Sequence, residues 1–322
     1  MKKEIGGYFE LEHIKNKHYH DNAKRLNSAR YCLQYILQEK KYKKIYIPLY
    51  ICNSVLQPIN TLGLNFEFYS IDKNFMPLLN KKIKEDEVIL YINYFGLKTK
   101  CLHTIKRKYK NVIIDNTQAF YAKPINNTDT IYSPRKFFGV SDGGYLYTDI
   151  SSDKKIKKDV SYKRYKYLLK RIDLGAEEGY YDFQKNEEEL NDQEILEMSN
   201  LTSNILSSLD YKKIKNKRKE NFKILHNKLK KMNEIEIDES LIDNGPMVYP
   251  LLLKNEVIRK YLIQNKIYVA TYWKDVLKRV NEDSFEYYLT NYLIPLPIDQ
   301  RYDKEDMQYI AELIINKVNL LP

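Results

Sequence analysis

Lys136 has the clearest capacity for covalent chemistry in this chain. It lies in the segment IYSPRKFFGVSDGGYLYT, residues 131–148, ahead of a glycine pair and a second apolar run. A lysine amine forms a Schiff base with a carbonyl compound when a nonpolar pocket or a cation lowers its pKa. Arg135 is such a cation, or a binding group for an acid. Gly143 and Gly144 let a ligand approach the main chain closely. A solvated loop lysine is the alternative interpretation of this segment.

A carboxylate and an amide follow another apolar run. Asp115 ends the β-branched stretch NVIID, and Gln118 comes three residues later. The carboxyl end of a parallel strand projects its side chains into the site that such a sheet builds. Asp115 is therefore a candidate to bind a protonated group, and a helix N-cap is the alternative.

The start of a helix provides a candidate anion site. The residues Asn27-Ser28-Ala29-Arg30 precede the periodic apolar run YCLQYIL. Free backbone N–H groups at a helix start favour a phosphate group. Capping of the helix alone would also explain Ser28.

These residues need a sheet to bring them together, and the first half of the chain has the pattern of one. Short apolar runs predict strands, and amphipathic stretches between them predict helices. The strand candidates are KIYIPLY, NFEFYSI, EVILYINYF and NVIIDN; the helix candidates are RLNSARYCLQYILQEKK, NSVLQPINTL and LHTIKRKYK. This alternation predicts an α/β domain with a mainly parallel central sheet flanked by helices.

The second half predicts a smaller unit. The charged segment 151–195 is interpreted as an excursion over the surface that forms part of a substrate lid. Residues 199–232 predict one long helix, or two helices broken near Asp210. Strand-like MVYPLLL and KIYVATYW alternate with helix-like EVIRKYLIQN and KEDMQYIAELIINKVNLL. We therefore expect a large domain over residues 1–205, and a connecting helix with a small C-terminal α+β domain over 206–322.

Composition narrows the function classes. The formal net charge is +11, but lysines occur in nearly every segment, which disfavours a nucleic-acid-binding stripe. The excess charge would instead attract small anionic substrates. The N-terminus lacks the apolar stretch of a signal peptide, and no window is apolar enough for a membrane span. A cytoplasmic protein without nucleic-acid or membrane partners is expected.

Other chemically capable residues have simpler explanations. Cys32, Cys52 and Cys101 lack the spacing of metal ligands, and three cysteines do not describe a disulfide framework. His18 and His20 are interpreted as structural surface histidines rather than a metal pair. Trp273 is interpreted as a core residue, although contact with a substrate is the alternative. No metal site is predicted.

The order and spacing of these motifs resemble those of the DegT-like sugar aminotransferases. Those enzymes depend on pyridoxal 5'-phosphate (PLP) and have the fold called fold type I. The resemblance rests on a Ser turn at a helix start, then Asp115 and Gln118 as an Asp-x-x-Gln element, then Lys136 followed by Asp142-Gly143-Gly144. The segment EDSFEYYLTNYLIPLPIDQRYDKEDMQYIAELI also resembles the closing segment of the family. The resemblance covers residue 20 to the end.

The resemblance implies a role for each of these residues. Lys136 would form the Schiff base with PLP and act as general base, and Asp115 would hold the pyridine nitrogen. Gln118 would bind the ring hydroxyl. The remaining cofactor-binding residues implied are Ser28, Ala29 and Ser133 at the phosphate, and Tyr50 stacked on the ring.

The chain departs from the family pattern at several places. Ile131 stands where a phosphate-binding serine is usual, so Ser133 is expected to replace it. Ile195 and Glu197 stand where an Asn and an Arg usually reach the neighbouring subunit's site. A catalytically lapsed ligand-binding protein is therefore one alternative. Another PLP reaction such as dehydration is a second, although the family's dehydratases carry histidine in place of Lys136.

The function predicted is PLP-dependent transamination of a keto-sugar, such as a nucleotide-linked one, in sugar or polysaccharide biosynthesis. An amino donor such as glutamate and a homodimeric assembly follow from the resemblance.

Overall fold

The computed structural model describes residues 5–152, 154–191 and 193–320 of the chain. Strands and helices alternate through the first half, as the apolar patterns predict. The described strands are β1 Lys24–Leu26, β2 Lys44–Pro48, β3 Asn65–Ile71, β4 Pro77–Leu78, β5 Glu87–Ile92, β6 Val112–Asp115, β7 Asp129–Tyr132, β8 Gly144–Tyr147, β9 Tyr249–Leu252 and β10 Leu293–Leu296. The described α-helices are α1 Ala29–Lys40, α2 Leu56–Thr61, α3 Thr99–Lys108, α4 Lys166–Asp173, α5 Tyr180–Glu189, α6 Asn200–Ser207, α7 Tyr211–Leu229, α8 Val257–Gln264, α9 Phe285–Tyr292 and α10 Lys304–Asn319.

Eight strands form one central sheet in the order β1-β8-β7-β6-β5-β2-β3-β4. The five neighbours β7, β6, β5, β2 and β3 run parallel, whereas β1, β8 and β4 pair with their neighbours in antiparallel fashion. Every residue of β5 is buried, which is typical of a central parallel strand covered on both faces. The predicted mainly parallel α/β sheet, flanked by helices, is confirmed.

A second sheet contains β9 and β10, paired antiparallel, and α7 and α10 pack against each other in the same half of the chain. The segment KIYVATYW, expected to be strand-like, forms no strand, and a 3₁₀ turn at Lys274–Lys278 follows it. The predicted domain limit between residues 205 and 206 lies inside α6. The division into two domains stays a prediction.

The predicted helical region after Ser199 is two helices rather than one. Asp210 separates them, and its side chain accepts a hydrogen bond from the backbone N–H of Lys213 at the start of α7. An N-cap aspartate has a non-helical backbone, which explains the break. Among the helices described, none is long and apolar enough to cross a membrane.

Candidate functional site

The carboxyl ends of the parallel strands open onto one cavity of about 330 Å³. Asp115 is the last residue of β6, and Ser133 follows β7 directly. A 3₁₀ turn at Pro134–Lys136 then carries Lys136 over the same edge of the sheet. The cavity is lined by Ser28, Ala29, Arg30, Asp115, Thr117, Gln118, Ser133, Arg135 and Lys136, among others. The size is that of a small-molecule site.

Lys136 and Asp115 are connected through Thr117. The Nζ of Lys136 donates a hydrogen bond of 3.0 Å to Oγ1 of Thr117. The backbone N–H of Thr117 donates at 2.8 Å to Oδ1 of Asp115. Asp115 is buried, whereas Lys136 is exposed at the cavity mouth rather than enclosed in a nonpolar pocket. Thr117 was not among the predicted site residues, although it lies between Asp115 and Gln118 in the sequence.

Gln118 is fixed by the loop after β5. Its Oε1 accepts a hydrogen bond of 2.8 Å from the backbone N–H of Phe95, whose φ of 59° lies in the left-handed region. Gln118 is almost fully buried and still lines the cavity. Because Oε1 is engaged, the Nε2 group is the part of this side chain available as a donor to a ligand.

The start of α1 lies in the cavity wall with polar groups unused. Ser28 is the N-cap residue by position, yet its hydroxyl makes no capping hydrogen bond, which corrects the expectation that it caps the helix. This hydroxyl is buried and has no hydrogen-bond partner within the described ranges. The first backbone N–H groups of a helix also lack partners inside the helix. Ser28 and Ala29 therefore present donors to an anion.

The glycine pair holds this helix start close to the sheet. The N–H of Gly143, at a φ of 115°, donates to the carbonyl of Asn27 at 2.6 Å. A Cβ on Gly144 would lie 2.6 Å from the carbonyl carbon of Ser28 and 2.7 Å from the nitrogen of Ala29. Only glycine fits there. Asp142, fully buried, accepts hydrogen bonds from the backbone and hydroxyl of Ser199, so its role is to anchor the start of α6.

Arg135 and helix α5 close another wall of the cavity. Nη2 of Arg135 donates to Oε1 of Glu187, and burial lowers the pKa of this guanidinium. Glu187 and Glu188 of α5 also line the cavity. The charged segment predicted as a surface excursion thus contains α4 and α5, and α5 reaches the site.

The aromatic wall differs from the prediction. Tyr50 is fully buried and does not line the cavity; its ring lies between Tyr94, at 5.9 Å, and Trp273, at 4.9 Å between ring centroids. Tyr50 is therefore not placed to stack on a ligand ring there. Trp273 is half-buried, packs against the main core and also lines the cavity beside Cys52, so its position fits both the core interpretation and the alternative of ligand contact.

His18 and His20 are buried rather than on the surface. Nδ1 of His18 contacts the hydroxyl of Tyr145 at 2.6 Å, and Nε2 of His20 contacts the carbonyl of Phe120 at 2.7 Å. Burial lowers the pKa of each histidine to about 4. In the part of the chain that the structure describes, no group of three or more His, Cys, Asp or Glu side chains could hold a metal ion.

Ile195 and Glu197 lie away from the cavity. Ile195 packs against the main core, and the carboxylate of Glu197 lies 3.6 Å from the amine of Lys158.

Solved structures that share this fold include several aminotransferases, some of them sugar aminotransferases. A DegT DnrJ EryC1 StrS aminotransferase from Brucella abortus matches with a TM-score of 0.60 and 14% identity, over 92% of this chain and 85% of that one. The putative sugar aminotransferase Spr1654 from Streptococcus pneumoniae, in its PMP form, matches with a TM-score of 0.63 and 14% identity, over 90% and 86%. PseC of Helicobacter pylori, an aminotransferase involved in the biosynthesis of pseudoaminic acid, matches with a TM-score of 0.61 and 14% identity, over 93% and 87%.

At this identity the likeness shows the fold, which is that of the fold type I aminotransferases. No protein-family model matches the sequence, and neither does any curated protein.

Proposed function

We propose that this protein is a PLP-dependent aminotransferase that acts on a keto-sugar, with Lys136 as the lysine that binds the cofactor. The connection of Lys136 to Asp115 through Thr117, at the edge of the sheet that also holds the hydroxyl of Ser28 before α1, unpaired among the described residues, carries this proposal. An amine, a buried carboxylate and an anion site in one cavity match the aldehyde, the ring nitrogen and the phosphate of PLP. The shared fold with sugar aminotransferases supports the same assignment.

The unpartnered groups of the cavity fit the cofactor. The buried hydroxyl of Ser28, with no partner in the described part of the chain, and the N–H of Ala29 would bind the phosphate together with Ser133. Asp115 would accept a hydrogen bond from the protonated pyridine nitrogen, and Nε2 of Gln118 would donate to the ring oxygen. Trp273, rather than Tyr50, is the aromatic side chain in the lining beside Cys52.

The protein's own groups would then bind, orient and move a proton. Bound PLP supplies an electron sink that makes the Cα–H bond of an amino acid acidic. Asp115, buried and held by the N–H of Thr117, would keep the pyridine nitrogen protonated. Lys136 would attach the cofactor covalently through Nζ and, once released by the donor, take the proton from Cα. The hydroxyl of Thr117 would orient Nζ through the hydrogen bond that it accepts from Lys136.

The substrates and the oligomeric state are part of the same proposal. An amino donor such as glutamate would supply the amine to the cofactor, and a keto-sugar linked to a nucleotide would accept it. A cytoplasmic homodimer and the division into a large and a small domain are part of this proposal.

Absorbance spectroscopy and chemical labelling test the proposal. Purified protein is mixed with PLP, reduced with borohydride, digested and mapped. We expect a visible absorbance band and the pyridoxyl group on Lys136, with both lost in Lys136→Ala and retained in Lys185→Ala, which changes an exposed lysine on α5. Glutamate should then convert the bound PLP to its amine form. Label scattered over surface lysines would contradict the assignment, and specific binding without conversion would favour the lapsed alternative.

A further inference from the structure

Arg135 is the starting point of a second assignment. Its side chain is 15% exposed and lines both the cavity beside Lys136 and the adjoining groove that Arg171 and Arg301 line. Nη2 contacts Oε1 of Glu187, whereas Nε is buried and has no hydrogen-bond partner within residues 5–152, 154–191 and 193–320. A guanidinium offers five N–H donors, so Arg135 retains donors that Glu187 does not use.

The partner of Arg135 comes from a separate segment. Glu187 lies near the end of α5, and its side chain is 39% exposed. The backbone of α5 is held independently, since Asn186 donates to the carbonyl of Ser141 at 3.2 Å and the hydroxyl of Tyr31 donates to the carbonyl of Leu190 at 2.8 Å. The Glu187 side chain can therefore leave Arg135 without displacing the helix.

Arg30, the other arginine in the cavity lining, has different hydrogen-bond partners. Nη1 of Arg30 donates to Oε1 of Gln57 at 2.6 Å and to the carbonyl of Leu190 at 3.2 Å, so Arg30 is tied to α2 and to the chain after α5. The hydrogen-bond partner of Arg135 is a carboxylate that water reaches. A partly exposed ion pair is weak, so another carboxylate can replace it at little cost.

We propose that Arg135 binds a carboxylate of the amino donor, and that Glu187 occupies this position as an internal carboxylate until the donor displaces it. The assignment rests on the proposed function, which supplies an amino acid as donor. Arginine suits this task because its planar fork binds a carboxylate through two parallel hydrogen bonds. Glu187 keeps the buried guanidinium of Arg135 paired between turnovers. An anion that binds Arg135 more weakly than Glu187 does would not displace it.

Competition between the two carboxylates makes the proposal measurable. A site that is free in only a fraction of molecules has its apparent affinity reduced by that fraction. Glu187→Gln should therefore tighten binding of a dicarboxylate by about 5-fold, the value of a partly exposed ion pair. Arg135→Gln should weaken it by at least about 10-fold, as expected for a lost charge-assisted hydrogen bond. The affinity of Arg135→Lys should lie between those of Arg135→Gln and the unmodified protein, because an ammonium keeps the charge but lacks the planar fork of a guanidinium.

The probe is glutarate, which has the two carboxylates of glutamate but no amine to react. Its affinity is measured by titration calorimetry on the PLP-treated full-length protein, with glutaramide as the uncharged control compound. Glu188→Gln is the matched control variant, because it removes the same charge from the next residue of the cavity lining. We expect it to leave glutarate affinity within about 2-fold, because Glu188 is exposed and, unlike Glu187, forms no ion pair with Arg135 in the described part of the chain, so that its charge is screened by solvent.

Three outcomes would overturn the proposal: no saturable binding of glutarate by the unmodified protein, unchanged affinity in Arg135→Gln and Arg135→Lys, or equal tightening in Glu187→Gln and Glu188→Gln. If Arg135→Gln fails to fold, Arg135→Lys and Glu187→Gln decide the question. Conversion of PLP by glutamate in the unmodified protein is scored separately. If glutamate converts PLP to its amine form but glutarate binding does not depend on Arg135, the assignment of Arg135 is wrong and the proposed function still holds.

Discussion

The Nζ of Lys136 lies 3.0 Å from Oγ1 of Thr117, within hydrogen-bonding distance, and the two residues lie on the loops after neighbouring parallel strands. A hydroxyl in this position fixes where the amine points before any substrate arrives. The relationship therefore gives a direct test of how the amine is oriented.

Thr117→Val should slow the reaction with the donor while leaving covalent attachment of PLP intact. Valine keeps the shape but removes the acceptor of the hydrogen bond from Nζ of Lys136, a loss that corresponds to about 10-fold in rate. Rapid-mixing absorbance with glutamate measures the rate, and borohydride labelling measures attachment. Thr117→Ser should restore most of the rate; a serine variant as slow as the valine variant would argue for a packing role.

Gly144→Ala should weaken PLP binding by moving the start of α1. The added Cβ would collide with backbone atoms of Ser28 and Ala29, and such overpacking typically costs about 1–3 kcal/mol of stability. The Kd for PLP and the midpoint of thermal unfolding are the measurements. Gly139→Ala is the control, because its Cβ would meet only the side chain of Leu168 at 3.4 Å. Equal effects of both substitutions would contradict this explanation.

Addition of PLP should quench the fluorescence of Trp273, which is the single tryptophan of the chain and lines the cavity. The quenching should saturate with the same concentration dependence as the absorbance band. N-acetyltryptophanamide at matched absorbance corrects for light absorbed by free PLP. A band that develops without any quenching would place the cofactor elsewhere.

Acidification should destabilise the protein between pH 6.5 and 4 through His20. Its folded pKa is lowered to about 4, so the unfolded chain binds a proton over this range that the folded chain does not. The free energy of unfolding therefore falls as pH drops through this window, by up to about 3 kcal/mol for this residue. Urea unfolding at pH 7 and pH 5 measures the change.

His20→Gln keeps an amide donor for the carbonyl of Phe120 and should reduce the pH dependence. His103→Gln, at an exposed position on α3, should leave the pH dependence unchanged. A pH dependence identical in the His20 variant and the unmodified protein would assign the acid sensitivity to other groups.

The sequence was most informative where chemistry coincides with strand ends. Asp115 and the turn of Lys136 follow apolar β-branched runs, and parallel strands bring their carboxyl ends to one edge. Partners from distant segments were not predictable, because single-sequence periodicity contains no information on tertiary contacts. Glu187 and Trp273 reach the cavity from such segments. The burial of His18 and His20 was missed for the same reason, since their partners Tyr145 and Phe120 lie at least 100 positions away.

The first turn of α1 contacts both the cavity and the residue that follows α5. Ser28 and Ala29 face the cavity, whereas the hydroxyl of Tyr31 holds the carbonyl of Leu190 just after α5. An anion that stabilises this turn therefore also stabilises the attachment of α5. Cofactor addition should then protect the segment around α5 from proteases before any amino donor is added. The protease cleavage pattern alone would therefore report the order in which the ligands were added.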